Sequence, residues 1–159
     1  MQCNTNYTGS LENFKFINLN VLKSYAQKYP EMILGLSDHS PGHATVLGAI
    51  ALGARVVEKH FTDNTSRVGP DHGFSMTPKT WRDMVDRSRE LENALGDGVK
   101  RVEENEIQTA NLQQRCLYLT RDIDSGDIIA AADLEALRPV QEGSFKPYEI
   151  TSAIGKRMI

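Results

Sequence analysis

The chain has 159 residues, room for one ordinary domain or two small ones, and its 40% apolar and 25% charged residues exclude disorder as the default. A formal charge of -3 gives no basic field for nucleic acid or anionic lipid, so any phosphate must be held by a few local groups. The longest apolar stretch, Ala44 to Ala54, is interrupted by Thr45, stopped by Arg55 and too short to span a bilayer. No signal-peptide pattern precedes it. Cys3 and Cys116 lie far apart without paired spacing, so a reducing, cytoplasmic setting is expected, with neither nucleic acid nor membrane as partner.

From Met1 to Leu95 short apolar runs alternate with amphipathic stretches, the pattern of consecutive β/α units on a parallel sheet. A first strand is expected over Met1 to Asn4. Leu19, Leu22 and Ala26 then recur at helical spacing as far as Tyr29, where Pro30 ends the helix. Met32 to Ser37 reads as a strand buried on both faces. Pro41-Gly42 introduces a helix through Leu52, Gly53 caps it, and Arg55 to His60 forms a third strand. Thr62 to Thr77 is polar and punctuated by Gly and Pro, as a working loop would be. Thr77-Pro78 opens a long helix to Leu95, with Trp81, Met84, Val85, Leu91 and Leu95 as its apolar stripe and Gly96 as its stop.

Residues 1–99 thus form one expected domain and the charged segment 100–114 a linker. Residues 115–159 form a small β-rich module, in which Cys116 to Thr120 and Ile128-Ile129 are read as a hairpin across the Asp124-Ser125-Gly126-Asp127 turn. Ala132-Asp133-Leu134 begins one helical turn.

His39 ends one expected strand and His60 the next. Adjacent parallel strands sit about 4.8 Å apart, so imidazoles at equal heights can reach one metal ion. Alternation places Ser37 with His39 and Glu58 with His60, one layer deeper. A single histidine at a strand end is more often a hydrogen-bonded structural residue; two at matched ends strengthen the case for a shared ion, although the structural role still outweighs it on the residues alone. His43 and His72 are weaker candidates, and His43 is read as a surface or capping residue. Asp38 alternates to the opposite face and is read as an outer-shell or helix-capping carboxylate. Arg67 is assigned to a loop salt bridge and Lys59 to no chemistry.

Gly35-Leu36-Ser37-Asp38-His39, Val57-Glu58-Lys59-His60-Phe61, Gly69-Pro70-Asp71-His72, Ser125-Gly126-Asp127 and Leu137-Arg138-Pro139, in this order and spacing, resemble the N-acetylneuraminate synthase family. The resemblance implies an α/β fold: the last three β/α units of a (β/α)8 TIM barrel, followed by an incomplete antifreeze-like (SAF) domain. It implies His39 and His60 as ligands of a divalent metal, Mn2+ or Mg2+. Ser37 is implied in the phosphoenolpyruvate pocket, Glu58 as a buried catalytic carboxylate, and Asp71 near metal and sugar. Asn6 and Tyr7 are implied as amino-sugar contacts, with Asn4 as an alternative to Asn6. Arg138 is implied as an arginine that reaches the other subunit's active site in a domain-swapped homodimer. The lysines and glutamate that the family draws from the first half of its barrel have no counterpart in this chain.

The implied reaction joins C3 of phosphoenolpyruvate to the aldehyde of an N-acetylhexosamine, such as N-acetylmannosamine, then adds water at C2 and releases phosphate. Neuraminic, legionaminic and pseudaminic acid synthases share these motifs. Two rivals stand beside this reading: another metal-dependent lyase or hydrolase on the same barrel, and a non-catalytic fragment that needs a separate N-terminal half.

Overall fold

Three strands, β1 (Gln2–Cys3), β2 (Gly35–Asp38) and β3 (Val56–Lys59), form a parallel sheet in the order β1-β2-β3. The computed structural model describes residues 1–159, which divide into two units, Met1–Val99 and Lys100–Ile159. In the first unit the sheet is in register through Cys3 opposite Ser37, Ser37 opposite Glu58 and Asp38 opposite Lys59. The helices of this unit are α1 (Phe14–Ile17), α2 (Val21–Lys28), α3 (Ala44–Ala51) and α4 (Pro78–Leu95).

One hydrophobic core joins Leu22 of α2, Val46, Ala49 and Ile50 of α3 and Met84 of α4 to Leu36 of β2, with Val57 of β3 packed against it. These helices therefore cover the sheet face that carries Leu36 and Val57. The other face, with Cys3, Ser37, Val56 and Glu58, is open: Cys3, Val56 and Glu58 are exposed and Ser37 half-buried. This corrects two expectations. The second strand is not buried on both faces: Met32 and Ile33, read as its start, are exposed and lie outside it. Glu58, expected as a buried carboxylate, is exposed, because no further element covers the face from which it projects.

Local chemistry sets the helix ends. Thr77 caps α4 through a reciprocal pair of hydrogen bonds with Thr80, Pro78 takes the first helical position, and Gly96, at φ 60°, follows the last turn. Gly53, at φ 95°, lets the chain leave α3 and turn straight into β3. The loop after β3 comes back on itself: the Met76 N–H donates to the His60 carbonyl at 2.8 Å, and the Thr62 N–H to the Met76 carbonyl at 2.9 Å.

The second unit contains α5 (Ile107–Gln113), β4 (Cys116–Leu119), β5 (Leu134–Leu137) and α6 (Ile150–Ala153). Segment 100–114, read as a linker from its charge, holds a 3-10 turn at Glu104–Glu106 and then α5. The expected hairpin is also corrected. β4 pairs antiparallel with β5, Cys116 opposite Leu137 and Leu119 opposite Leu134. The Asp124–Asp127 turn does close, at 3.1 Å, but it carries Ile128 and Ile129 to the end of the chain, where the Gly155 N–H donates to the Ile129 carbonyl. The helical turn expected at Ala132-Asp133-Leu134 forms one residue earlier, at Ala131–Asp133, with Leu134 opening β5; its buried Asp133 accepts from the Ala130 N–H at 2.9 Å and from Arg121 at 2.6 Å.

Candidate active site

His39 and His60 each follow the last residue of a strand, and the parallel register brings both rings to one end of the sheet. Their centroids are 5.1 Å apart at 67°. Tyr7 lies 4.0 Å from the His39 ring and 5.3 Å from the His60 ring, so the three rings meet. Phe74 adds a fourth ring 5.3 Å from His60. His39 is buried, at 4% exposure, whereas the His60 side chain is 28% exposed.

The His39 imidazole is oriented through Nδ1. The Asn4 carbonyl, 2.9 Å from His39 Nδ1, can only accept, which places the proton on that nitrogen and leaves Nε2 with its lone pair. His60 Nδ1 lies 3.5 Å from the Asp71 carboxylate. A ring held at one nitrogen by a carbonyl or carboxylate is how metal-ligating histidines are commonly set. Two imidazoles, with the Asp71 carboxylate beside one of them, could hold a divalent ion whose other positions take oxygen ligands. No group of three or more His, Cys, Asp or Glu side chains gathers for a metal, so water or substrate would supply the remaining positions.

One layer below, on the open face, the Ser37 hydroxyl donates to Glu58 Oε1 at 2.7 Å. The alternation seen in the sequence is thus realised as a direct contact. Asp71 is held by its backbone, whose carbonyl accepts from the Ser75 hydroxyl at 2.7 Å.

An amide network that the sequence did not suggest holds Tyr7 over the imidazoles. Asn13 is 3% exposed; its amide donates to Asn4 Oδ1 at 3.4 Å and to the Asn6 carbonyl at 3.3 Å. The Asn6 side chain donates to Asn13 Oδ1 at 3.3 Å, so it is engaged with the protein. Beyond Tyr7, Gly9 has φ 61°, and a Cβ there would fall 2.6 Å from Phe74 Cβ; only glycine lets the two loops close.

The remaining candidates are placed elsewhere. His72 Nδ1 shares a 2.7 Å hydrogen bond with the Thr62 hydroxyl, and His43 lies 3.7 Å from the Asp83 carboxylate. Arg67 bonds Asp63 at 2.9 Å, the expected loop salt bridge, and its guanidinium holds the Asp63 carboxyl below the usual carboxylate range. Arg138, in the second unit, is exposed and donates through Nε to the Gln113 carbonyl at 2.6 Å. Lys59 is buried against Asp38, which alternation alone could have flagged, since it shares the helix-covered face with Val57.

Residues 1–100 match the model of the NeuB family. The chain belongs to the NeuB family. Among its relatives, the N,N'-diacetyllegionaminic acid synthase of Legionella pneumophila is 35% identical over 158 residues, covering 99% of this chain and 43% of that protein. The N-acetylneuraminate-9-phosphate synthase of Homo sapiens is 28% identical over 159 residues, again covering 43% of that protein. A solved structure of the N-acetylneuraminic acid synthetase of Leptospira borgpetersenii aligns with a TM-score of 0.57 and 30% identity, over 67% of this chain and 36% of that one. This NeuB family chain therefore spans less than half the length of these relatives. No helix in it is long and apolar enough to cross a membrane.

Proposed function

We propose that this chain carries the metal-holding and phosphoenolpyruvate-binding side of a nonulosonic acid synthase, an enzyme that condenses phosphoenolpyruvate with an N-acetylhexosamine. The observation that carries the reading is the meeting of His39 and His60, rings 5.1 Å apart, directly above the Ser37–Glu58 pair. His39 and His60 would hold the ion. Bound Mn2+ or Mg2+ supplies a Lewis acid for the sugar aldehyde oxygen.

The chain's own groups then have distinct tasks. Ser37 contributes a hydroxyl to the phosphoenolpyruvate site, and Glu58, which accepts that hydroxyl's proton in a hydrogen bond, is the group proposed to move a proton during water addition at C2. Tyr7 offers a half-exposed ring and hydroxyl to the amino sugar, and Asp71 a partly exposed carboxylate beside His60. Asn6 supports this edge through its backbone and its bond to Asn13. Carbon–carbon bond formation between C3 and the aldehyde, then water addition and loss of phosphate, balances to a 2-keto sugar acid.

The same reading takes β1, β2 and β3 with their helices as part of a (β/α)8 barrel wall. Helices on one sheet face, and catalytic candidates at the strands' C-terminal ends, support a barrel over a doubly wound sheet. The second unit is then the beginning of a SAF domain, which presents Arg138 to the partner's site in a homodimer. The reaction is assigned to the cytoplasm, and both cysteines are free.

Titration of the chain with Mn2+, followed by electron paramagnetic resonance, tests the core of the proposal. One ion bound by the parent and lost in both His39→Ala and His60→Ala is expected. No binding by the parent, or equal binding by the variants, refutes it. In the assembly that turns over, release of phosphate from phosphoenolpyruvate should require the amino sugar. There, Glu58→Gln should slow turnover by about 10²–10⁴-fold.

A further inference from the structure

The ladder between β2 and β3 ends at Asp38 opposite Lys59, one residue before each imidazole. Past that point the His60 carbonyl accepts from the Met76 N–H, and the His39 ring, not its backbone, bonds the Asn4 carbonyl. Something else must hold the two ring-bearing residues at one height. On the helix-covered face, Lys59 Nζ donates to Asp38 Oδ2 at 2.6 Å and to the Ser40 carbonyl at 2.7 Å. Lys59 therefore grips the chain on both sides of His39 while its own neighbour is His60.

Asp38 is fully engaged. Its Oδ1 accepts from the Ser40 N–H at 3.0 Å and the Ser40 hydroxyl at 2.7 Å, and its Oδ2 from the Thr45 hydroxyl in the first turn of α3. The two charged side chains are 1% and 0% exposed. Burying such a pair costs desolvation that a well-packed apolar pair avoids, so net stability gives little reason for it. Geometry does: the pair joins β2, β3 and α3 at the level from which the imidazoles project.

We propose that Asp38 and Lys59 are positioning residues that bring His39 and His60 together, and through them shape the metal site. The metal part of this inference rests on the functional reading above; the positioning part does not.

NMR of the chain separates the two. The parent should show a nuclear Overhauser contact between the His39 and His60 ring protons, and Mn2+ far below stoichiometry should broaden both rings. Asp38→Asn/Lys59→Met and Asp38→Leu/Lys59→Met remove both charges together, so no orphan ion is left to unfold the protein. In either folded double variant the inter-ring contact should be lost and Mn2+ binding should weaken by about 10–100-fold, as when an outer-shell partner is removed. Leu22→Ala, a cavity in the same core, should lower the unfolding midpoint yet keep the contact, which separates positioning from stability alone. A double variant that keeps the inter-ring contact, or failure of both to fold, overturns the proposal. Loss of the contact in the variants, with no Mn2+ broadening in the parent, overturns the metal reading and leaves the positioning role standing.

Discussion

Asn13 is the residue through which the first loop is held onto the candidate site, and Asn13→Ala isolates that contribution. The substitution deletes two donated hydrogen bonds, at 3.4 and 3.3 Å, and one accepted bond at 3.3 Å. A typical bond contributes about 0.5–1.5 kcal/mol net, and these are long, which puts each at the low end. Asn4 is half-buried and Asn6 exposed, so water can replace Asn13 at both and no large penalty for orphaned groups is added. The expected loss is about 1.5–3 kcal/mol. With a urea slope of about 1–3 kcal/mol/M, the midpoint should fall by roughly 1 M. Trp81 is the single tryptophan and lies in the same unit, so its fluorescence reports the transition. A second readout is specific to the site: the Tyr7–His39 ring contact, 4.0 Å between centroids, should weaken in the folded variant. Asn13→Asp keeps an acceptor for Asn6 but loses both donors and buries a charge, so it should be at least as damaging. A midpoint within about 0.2 M of the parent, with an unchanged Tyr7–His39 contact, would refute the claim that this network holds the loop.

Two further outcomes are expected away from the rings. Thr77→Ala removes the capping hydroxyl that accepts from the Thr80 N–H at 3.3 Å, and should lower stability by about 1 kcal/mol in urea unfolding; a change under about 0.3 kcal/mol would show that the exposed cap contributes nothing. In the second unit, hydrogen bonds from the Ala130 N–H and then from Arg121 hold the Asp133 carboxyl below its ordinary value. A depressed carboxyl stabilises the fold above the unfolded-state value and loses that contribution as pH falls through the folded one. Asp133→Asn should therefore destabilise at pH 7, and its deficit should shrink below about pH 4, read by circular dichroism in urea. A deficit that stays constant across that range would contradict the assignment.

Much of the first unit was written in local pattern. Thr77, Pro78 and Gly96 bounded α4, and Gly53 ended α3, because capping and positive φ depend on a few neighbouring residues. Strand alternation determined that Ser37 and Glu58 share a face with the two histidines, since period two is a property of any extended chain. Tertiary structure alone decided the rest. Asn13 gained its role only when residues 1–18 closed on themselves, and Glu58 proved exposed because burial depends on what covers a face. β4 took β5, leaving Ile128 for Arg157, because pairing among short strands is settled by which distant segments pack together. Lys59 is divided between the two: alternation puts it on the face of Val57, but its pairing with Asp38 was settled by the register of β2 against β3. Residue type and spacing determined which groups could do chemistry here; long-range packing decided which of them meet.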